Sequence, residues 1–481
     1  MGPAPFSWPA PKYWLLDIEK KTMKISRRRF CTRASVSAAG LLLAPYLKSA
    51  KVLAYSHMDS ADILAQVGIT QANTYDRSLV KQKVQHLFES IGGIGDVVGA
   101  GDKVAIKINL TGGSGSALSP KLNGIPITES MWTHPEVVRA VGELLIDAGV
   151  SAPDITIVEA LWDSASYDNF GYLAVQQSLG AQRVNLNAIA PYPDFVDLPV
   201  GVPGYFYSSF RVNRILSEVD VYVSIPKMKE HYEAGVTASL KNQVGMVPKA
   251  LYVLPNDQGR RGALHGEGGP STSHLPRSVS DLNLARPVHL AIIDGVKNAR
   301  GGEGVWNPTF RLAEDHVLLA GKDPVATDSI AAYLMGHDPG ALTLALPAGG
   351  NCDNYLELLH QKGAGTNRLD EIQPVGDGAG LVTSVPPGRE VVMPTGFDLY
   401  QNFPNPFNPS TTFRLHLPRA AEVRIRIYGV TGELVDTLME GTVPGGVHEL
   451  QWAPGAVASG AYFCEMRAGE FVERIKLIYL K

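Results

Sequence analysis

Between Ser78 and Leu359 the chain alternates short, continuous apolar runs with stretches of helical spacing. Val104–Leu110 is the first such run. Pro135–Ala148 follows, with Val137, Val138, Val141, Leu144, Leu145 and Ala148 recurring at helical intervals. Ile155–Val158 predicts a strand, Tyr172–Leu179 a helix, and Val219–Ile225 and His289–Ile293 two further strands. Val317–Ala320 predicts a strand that leads straight into a helix over Pro324–Met335. Strands apolar on both faces, separated by amphipathic helices, predict an α/β fold: a mostly parallel sheet covered by helices on both faces, in three layers. The pattern fades from Gly363 to about Pro394, a Gly/Pro-rich stretch that reads as a linker or an irregular extension. From Phe397 the period changes. Thr411–Leu417, Glu422–Tyr428, Glu433–Met439, Val447–Trp452, Ala461–Arg467 and Phe471–Leu480 alternate or run apolar at short spacing between Gly-containing turns, and predict a small all-β sandwich. The expected division is therefore 55–362 for the α/β domain, 363–394 for the linker and 395–481 for the sandwich.

The N-terminal end reads differently. Ser26-Arg27-Arg28-Arg29-Phe30 precedes an Ala/Ser/Gly-rich stretch, Ala34–Leu47, which leads to Val52-Leu53-Ala54. A basic segment, a short apolar segment and small residues at a cleavage position make a signal peptide over residues 1–54, and paired arginines point to the twin-arginine translocase. The alternative is the basic start of a buried N-terminal helix. Cleavage after Ala54 would leave Tyr55 first, and Met23 offers a second start. The apolar stretch falls short of the roughly 20 residues that span a bilayer, so no integral membrane segment is expected in the mature protein. Twin-arginine export carries folded proteins, which fits either a cofactor loaded beforehand or a domain that folds fast without one.

Composition narrows the classes. A formal net charge of -4, with no Lys/Arg run outside the signal, argues against a nucleic-acid partner. Of three cysteines, Cys31 lies in the signal and Cys352 and Cys464 fall in different expected domains. No disulfide, iron–sulfur cluster or cysteine zinc site is expected from that set.

Two resemblances rest on particular residues. Pro404-Asn405-Pro406-Phe407-Asn408-Pro409, Gly460-Ala461-Tyr462-Phe463 and the terminal run from Lys476 to Lys481 resemble the type A sorting domain of the type IX secretion system, an immunoglobulin-like, FlgD-type sandwich. That resemblance implies the type IX machinery as a partner and secretion or attachment to the cell surface; an ordinary Ig-like module is the alternative. The central domain resembles the uncharacterised DUF362 family through Lys107-Ile108-Asn109-Leu110, Thr133-His134-Pro135-Glu136-Val137-Val138-Arg139-Ala140 and Pro226-Lys227-Met228-Lys229-Glu230-His231. Gly235-Val236-Thr237-Ala238-Ser239-Leu240-Lys241-Asn242, Ile293-Asp294-Gly295 and the segment Ala320–Asp328 add to it. It implies a fold and candidate residues but no activity. Some relatives carry ferredoxin-type cysteine motifs, which this chain lacks.

The polar residues of these segments make a chemical pattern. In parallel α/β sheets ligands bind beyond the carboxyl ends of the strands. Lys107 and Asn109 stand two apart at the end of the first strand and face one side, and Glu159 closes the second. Lys227, Lys229 and His231 are spaced by two after Pro226 and point one way if extended. Asp294 closes another strand, and Lys241-Asn242 follow on a helical segment. Lys107, Asn109, Asn242 and Asp294 are the expected ligand-binding residues. Lys, Asn and backbone amides suit a small carboxylate or phosphate anion, with Lys227, Lys229 or Lys241 as base and His134 or His231 as acid/base partner. Glu159, Asp294 and Asp328, with His231, could instead hold one divalent metal. The plainer roles are solvated lysines, a helix-start histidine at His134, and a capping or core-edge carboxylate at Asp328. Asp323 before Pro324 reads as a helix cap. Gly259–Arg277, with His265 and His274, is long enough to be a lid, and Gly112-Gly113-Ser114-Gly115 is a weak phosphate-loop signal. The chain thus reads as an exported protein: an enzyme acting on a small anion, or a surface-displayed binding protein for an anion or glycan.

Overall fold

The computed structural model describes residues 64–382 and 397–480, except 111–120, 123–124, 255–260, 267–271, 401, 403–404, 444–445 and 456. The expected signal peptide, the Gly112–Gly115 stretch and residues 383–394 of the expected linker lie outside the described residues. The chain divides into two compact units, Met1–Gly378 and Ala379–Lys481.

The first unit is built on an eleven-stranded sheet. Its strands in chain order are β1 (Ala65–Gln71), β2 (Val104–Ile108), β3 (Ile155–Glu159), β4 (Gln182–Asn185), β5 (Val221–Ile225), β6 (Lys227–His231), β7 (Gly235–Thr237), β8 (Leu290–Arg300), β9 (Arg311–Ala313), β10 (Val317–Gly321) and β11 (Ile372–Val375). Helices α1 (Arg77–Ser90), α2 (Pro135–Asp147), α3 (Tyr172–Leu179), α4 (His274–Ala285) and α5 (Pro324–Leu334) cover it. The main path runs β11-β1-β10-β8-β5-β2-β3-β4. From β8 to β4 every pairing is parallel, while β10 runs antiparallel to both β1 and β8. This is the mostly parallel, helix-covered sheet that the apolar runs predict.

The core shows why. Val104, Ile106 and Ile108 of β2 pack with Ile155, Ile157, Val221, Val223, Ile292 and Leu318 against Val84 and Leu87 of α1 and Val137 and Val141 of α2. The alternate positions Ala105, Val158, Tyr222 and Ala291 enter a second core with Leu216, Met246 and Leu282 of α4 on the opposite face. A strand buried on both faces has no polar alternation to show, which is what makes it legible as an unbroken run.

Two expectations need correction. The segment 363–394 is not wholly a linker, because Ile372–Val375 forms β11, parallel to β1, with Ala65 opposite Ile372. Gly378 N–H also donates to Ile69 O at 2.9 Å, and Lys83 pairs with Asp377 at 2.6 Å. A four-residue edge strand is too short to give a period. Likewise, the expected lid is partly ordered helix: Gly262–His265 and α4 occupy its described parts.

The second unit is a small antiparallel all-β domain. Asp398–Leu399, Thr411–Leu417 and Gly446–Trp452 form one sheet; Leu434–Val443, Ala421–Gly429, Gly460–Ala468 and Phe471–Tyr479 form the other, in that order. Phe413, Leu415, Ile425, Ile427, Cys464, Met466 and Leu477 fill the core. Cys352 and Cys464 are both buried and free. Among the described residues no helix is long and apolar enough to cross a membrane.

The role of β11 has a stability consequence. A fragment that ends at Lys362 loses the sheet edge and the buried Ile372, and should unfold more easily than one ending at Gly378, by about 2 kcal/mol or more. Urea unfolding of the two fragments compares them, and equal midpoints would return 363–378 to the status of a linker.

Candidate functional site

Four lysines lie buried at the carboxyl edge of the sheet, and they differ in how their ammonium groups are satisfied. An ammonium has three N–H donors and no acceptor. Lys107 Nζ, on β2, donates to Ile108 O at 2.7 Å, Glu159 Oε2 at 2.9 Å and Asn242 Oδ1 at 3.1 Å. Lys227 Nζ, on β6, donates to Tyr75 OH at 2.8 Å, Asp294 Oδ2 at 2.6 Å and Lys297 O at 3.0 Å. Each of these lysines is therefore complete, with a carboxylate partner. Burial pulls both pKa values down, and Glu159 and Asp294 respectively oppose it.

Lys229 and Lys241 are not complete. Lys229 is fully buried, and among the described residues its Nζ donates only to Met131 O. Lys241 is 8 % exposed, and among the described residues its ammonium has neither a hydrogen bond nor an ion pair. Burial lowers Lys229 to about 7, with Lys241 and Lys227 adding to it and Glu303 opposing, and lowers Lys241 to about 8, with Arg261 and Lys107 adding and Glu303 and Glu233 opposing.

Local structure explains the placement. Asn242 ties the first pair together: Oδ1 accepts from Lys107 and from Asn109 Nδ2 at 3.2 Å, and Nδ2 donates to Lys107 O and Ser224 Oγ. Lys107 and Asn109 thus reach one acceptor, as their spacing predicts. Lys241 and Asn242 open a 3-10 helix, Lys241–Met246, whose entry is held by Asp328. That carboxylate accepts from Ser239 N–H, Ser239 Oγ and Leu240 N–H at 2.5–2.8 Å. Burial raises Asp328 to about 7 against those three donors. In the same helix Gly245 is forced: a Cβ there would meet Glu159 Oε1 at 2.4 Å and Lys107 Nζ at 2.6 Å.

The Lys227 pair is equally enclosed. Asp294 also accepts from Tyr75 OH and from His134 N–H, both at 2.8 Å. The Tyr75 and His134 rings stack with centroids 3.7 Å apart. Between β6 and β8 the register jumps, from Lys227 opposite Asp294 to Lys229 opposite Ala299. The segment stays extended, yet this bulge sends Lys227 to Asp294 and Lys229 to Met131. The expectation that Lys227, Lys229 and His231 share one direction therefore fails at the level of partners.

The histidines settle into structural roles. His134 caps α2, its Nδ1 accepting from Glu136 N–H at 3.2 Å, and burial beside Lys227 and Lys297 pushes its pKa to about 2. It caps α2 as a neutral ring. His231 is buried, and its Nδ1 accepts from Glu233 N–H at 3.1 Å. Burial and the neighbouring Lys241 hold it down at about 3, so the neutral ring is the form present near neutrality. His265 pairs with Glu233 at 2.6 Å, and His274 stacks on Phe206. Asp323 is the expected cap of α5, accepting from Ala326 N–H.

The proposed metal set does not assemble. Glu159 is spent on Lys107 and on the N–H groups of Leu110 and Ala160, Asp294 on Lys227, Tyr75 and His134, and Asp328 on Ser239 and Leu240. Among the described residues no three His, Cys, Asp or Glu side chains group as ligands.

Three site residues were missed by sequence reading: Tyr75, Arg261 and Glu303. Arg261 is 4 % exposed, donates to Val247 O at 3.0 Å and Ala160 O at 3.2 Å, and is held at about 10 by burial. It bears on Lys107 and Lys241 electrostatically. Glu303 accepts from Tyr232 N–H and Trp306 Nε1, and lies 4.0 Å from His231 Nδ1. An arginine inside a Gly-rich stretch and a lone acid among glycines were the available signals.

The two kinds of lysine should respond oppositely to truncation of charge. Lys227→Met strands Asp294 in the interior and is expected to cost about 3–5 kcal/mol, as breaking a buried pair does. Lys229→Met removes an uncompensated cation and should leave stability unchanged or raise it. Urea denaturation of both variants decides, and equal losses would make Lys229 a structural residue.

Residues 104–333 match the family described as "Domain of unknown function (DUF362)". A curated relative, the thylakoid-associated protein sll1697 of Synechocystis, is 25% identical over 281 residues, which is 58% of this chain and 77% of that protein. Among solved structures, PorZ, a surface component of the type IX secretion system of Porphyromonas gingivalis, matches 18% of this chain and 12% of its own length. That match is 24% identical with a TM-score of 0.14. The buried lysines, the capped α2 and the Asp328-held turn all fall inside the matched segment, and residues 104–333 of this chain are a DUF362 domain.

Proposed function

We propose that this is an exported protein whose α/β domain captures a small carboxylate or phosphate anion at the carboxyl edge of its sheet. One observation carries the reading: among the described residues Lys229 and Lys241 are buried without a carboxylate partner, beside two lysines that each have one. A buried ammonium with open donors is costly unless something pairs with it. An anion would supply acceptors for the donors left open on Lys229 and Lys241, with Arg261 close behind. Export is supported by Arg27-Arg28 ahead of the Ala34–Leu47 stretch, and surface delivery by the Pro404–Pro409 segment in the C-terminal β domain. The Synechocystis relative is named as thylakoid-associated, a name that carries no reaction.

A second reading, turnover of the bound anion, is favoured by Lys229 standing at about 7, where an amine can take up a proton near neutrality. Incubation of protein with a bound carboxylate or phosphomonoester, followed by mass spectrometry of the ligand, separates the two. Recovery of unchanged ligand leaves capture alone.

Capture has a pH signature. Both free lysines lie below their ordinary range, so an anion that requires their charged forms must bring protons with it. The groups that bear on Lys229 are Glu303, Lys241, Lys227 and Glu159. Affinity for inorganic phosphate or acetate should be highest below about 7 and fall as pH rises through about 8, by about tenfold per pH unit for each proton taken up. Calorimetry in buffers of different ionisation enthalpy measures that uptake. Absence of any binding to wild-type protein would sink the reading.

Export is checked separately. Replacing Arg27 and Arg28 with Lys should hold the protein in the cytoplasm, and removing residues 397–481 should keep it from the cell surface without blocking its passage across the inner membrane. Cell fractionation reads both, and normal export of the Lys variant would remove the twin-arginine route.

A further inference from the structure

Beyond the carboxyl end of β8 the chain makes a hairpin with β9, Arg300 lying opposite Arg311, and residues 301–310 form its tip. The tip is anchored at its base: Gly301 N–H donates to Glu230 Oε2, and Thr309 Oγ1 donates to Gly301 O. Its outer end carries Trp306, which is 50 % exposed, whereas Trp132, Tyr167, Tyr172, Tyr222 and Tyr355 of the same unit are buried. Two contacts fix the exposed ring. Its Nε1 donates to Glu303 Oε1 at 3.0 Å. A Cβ on Gly304 would meet Trp306 Cη2, Cζ2 and Cζ3 at 2.3, 2.5 and 2.6 Å. Distances so nearly equal to three adjacent ring atoms put the glycine against a face of the indole, not against its edge. One face is therefore backed by the loop, leaving the opposite face open.

We propose that this tip is a carbohydrate subsite, with a pyranose ring laid on Trp306 and its hydroxyls donating to Glu303. The polarised C–H groups on one face of a pyranose suit the negative face of an indole, and an aromatic ring held in place gives contact area at little entropic cost. Stacking alone would take any flat apolar ring, and Glu303 is what selects a sugar. Its carboxylate lies beside the platform, accepting from Trp306 Nε1 through Oε1 and from Tyr232 N–H through Oε2 at 3.1 Å. A carboxylate has about four acceptor positions and no donor, so a ring that carries hydroxyls fits what remains and a ring without them does not. Oε2 also lies 4.0 Å from His231 Nδ1, and Glu303 is the acid that bears most on both Lys229 and Lys241. The subsite thus adjoins the lysines, and it stands whether or not they capture an anion.

Saturation-transfer NMR of the full chain with the methyl glycosides of glucose, galactose, mannose and glucuronic acid tests the subsite, with calorimetry of acetate and benzoate beside it. At least one glycoside should bind, with transfer concentrated on the C–H protons of one ring face. Trp306→Ala should weaken that glycoside by at least about tenfold and leave acetate binding as in wild type. Trp306→Phe, which keeps a ring, should recover most of the loss, and Trp306→Leu replaces the Ala variant if that one does not fold. Binding of none of the four glycosides, or equal binding by wild type and the Ala variant, overturns the subsite. So does benzoate binding as tightly as the glycoside with the same dependence on Trp306, which would make the ring a general aromatic platform. Acetate bound without any glycoside removes the subsite and leaves anion capture standing; a glycoside bound without acetate does the reverse.

Discussion

Every buried ammonium must find three acceptors or a counter-charge, and the architecture of this domain is arranged around two lysines that do. The Lys107–Glu159 and Lys227–Asp294 pairs bring together elements far apart in the chain: strand ends at 107, 159 and 294, the 3-10 turn at 242, the cap of α2 at 134 and the tyrosine at 75. By strand alternation Asp294 shares the face of Leu290 and Ile292, while Lys107 shares that of Ala105. The two pairs therefore close the carboxyl edge of the sheet on opposite faces. With those closures made, the backbone around Lys229 and Lys241 is held in a position those side chains could not secure for themselves.

That division of labour clarifies the chemistry. A paired lysine in a protein interior contributes little net stability and is costly to break. An unpaired one is a standing cost, tolerated only where the surrounding framework is already determined. Asp328 illustrates the framework: it holds the backbone of Ser239 and Leu240 and so sets where Lys241 begins. Read from sequence it resembles a metal ligand. In three dimensions its oxygens are fully used two residues upstream of the lysine it positions.

The parts legible in the sequence were those governed by burial of whole strands. Val104–Ile108, Ile155–Glu159 and Val221–Ile225 are apolar on both faces and stand out as runs. β1, with Gln, Gly and Thr in its seven residues, and β11, with only four, carry too little pattern to be seen. Residue types at strand ends located the candidate site, because a parallel sheet leaves its open donors and side chains there. Which lysine pairs with which acid was not legible. It depends on the register jump after Lys227, on the close approach of Gly245 to Glu159, and on Tyr75, Arg261 and Glu303, which arrive from loops with no period. The cap at Asp323 was legible in advance, since Asp before Pro has a local cause, whereas at His134 a helix start was only the plainer of two readings.

The strand order has a consequence for biosynthesis. β1, the first strand of the domain, pairs with neither of the strands that follow it; its neighbours are β10 and β11, the last two. A nascent chain therefore emerges with its first strand unpartnered, and keeps it so until residues 317–321 have left the ribosome, with its second edge open until 372–375 follow. Such long-range closure is slow compared with local helix formation, and an open strand edge invites mispairing in the interval. A domain closed by its own last residues becomes complete only after synthesis has passed beyond it, so whatever machinery receives it must act on a finished body or hold back an unfinished one.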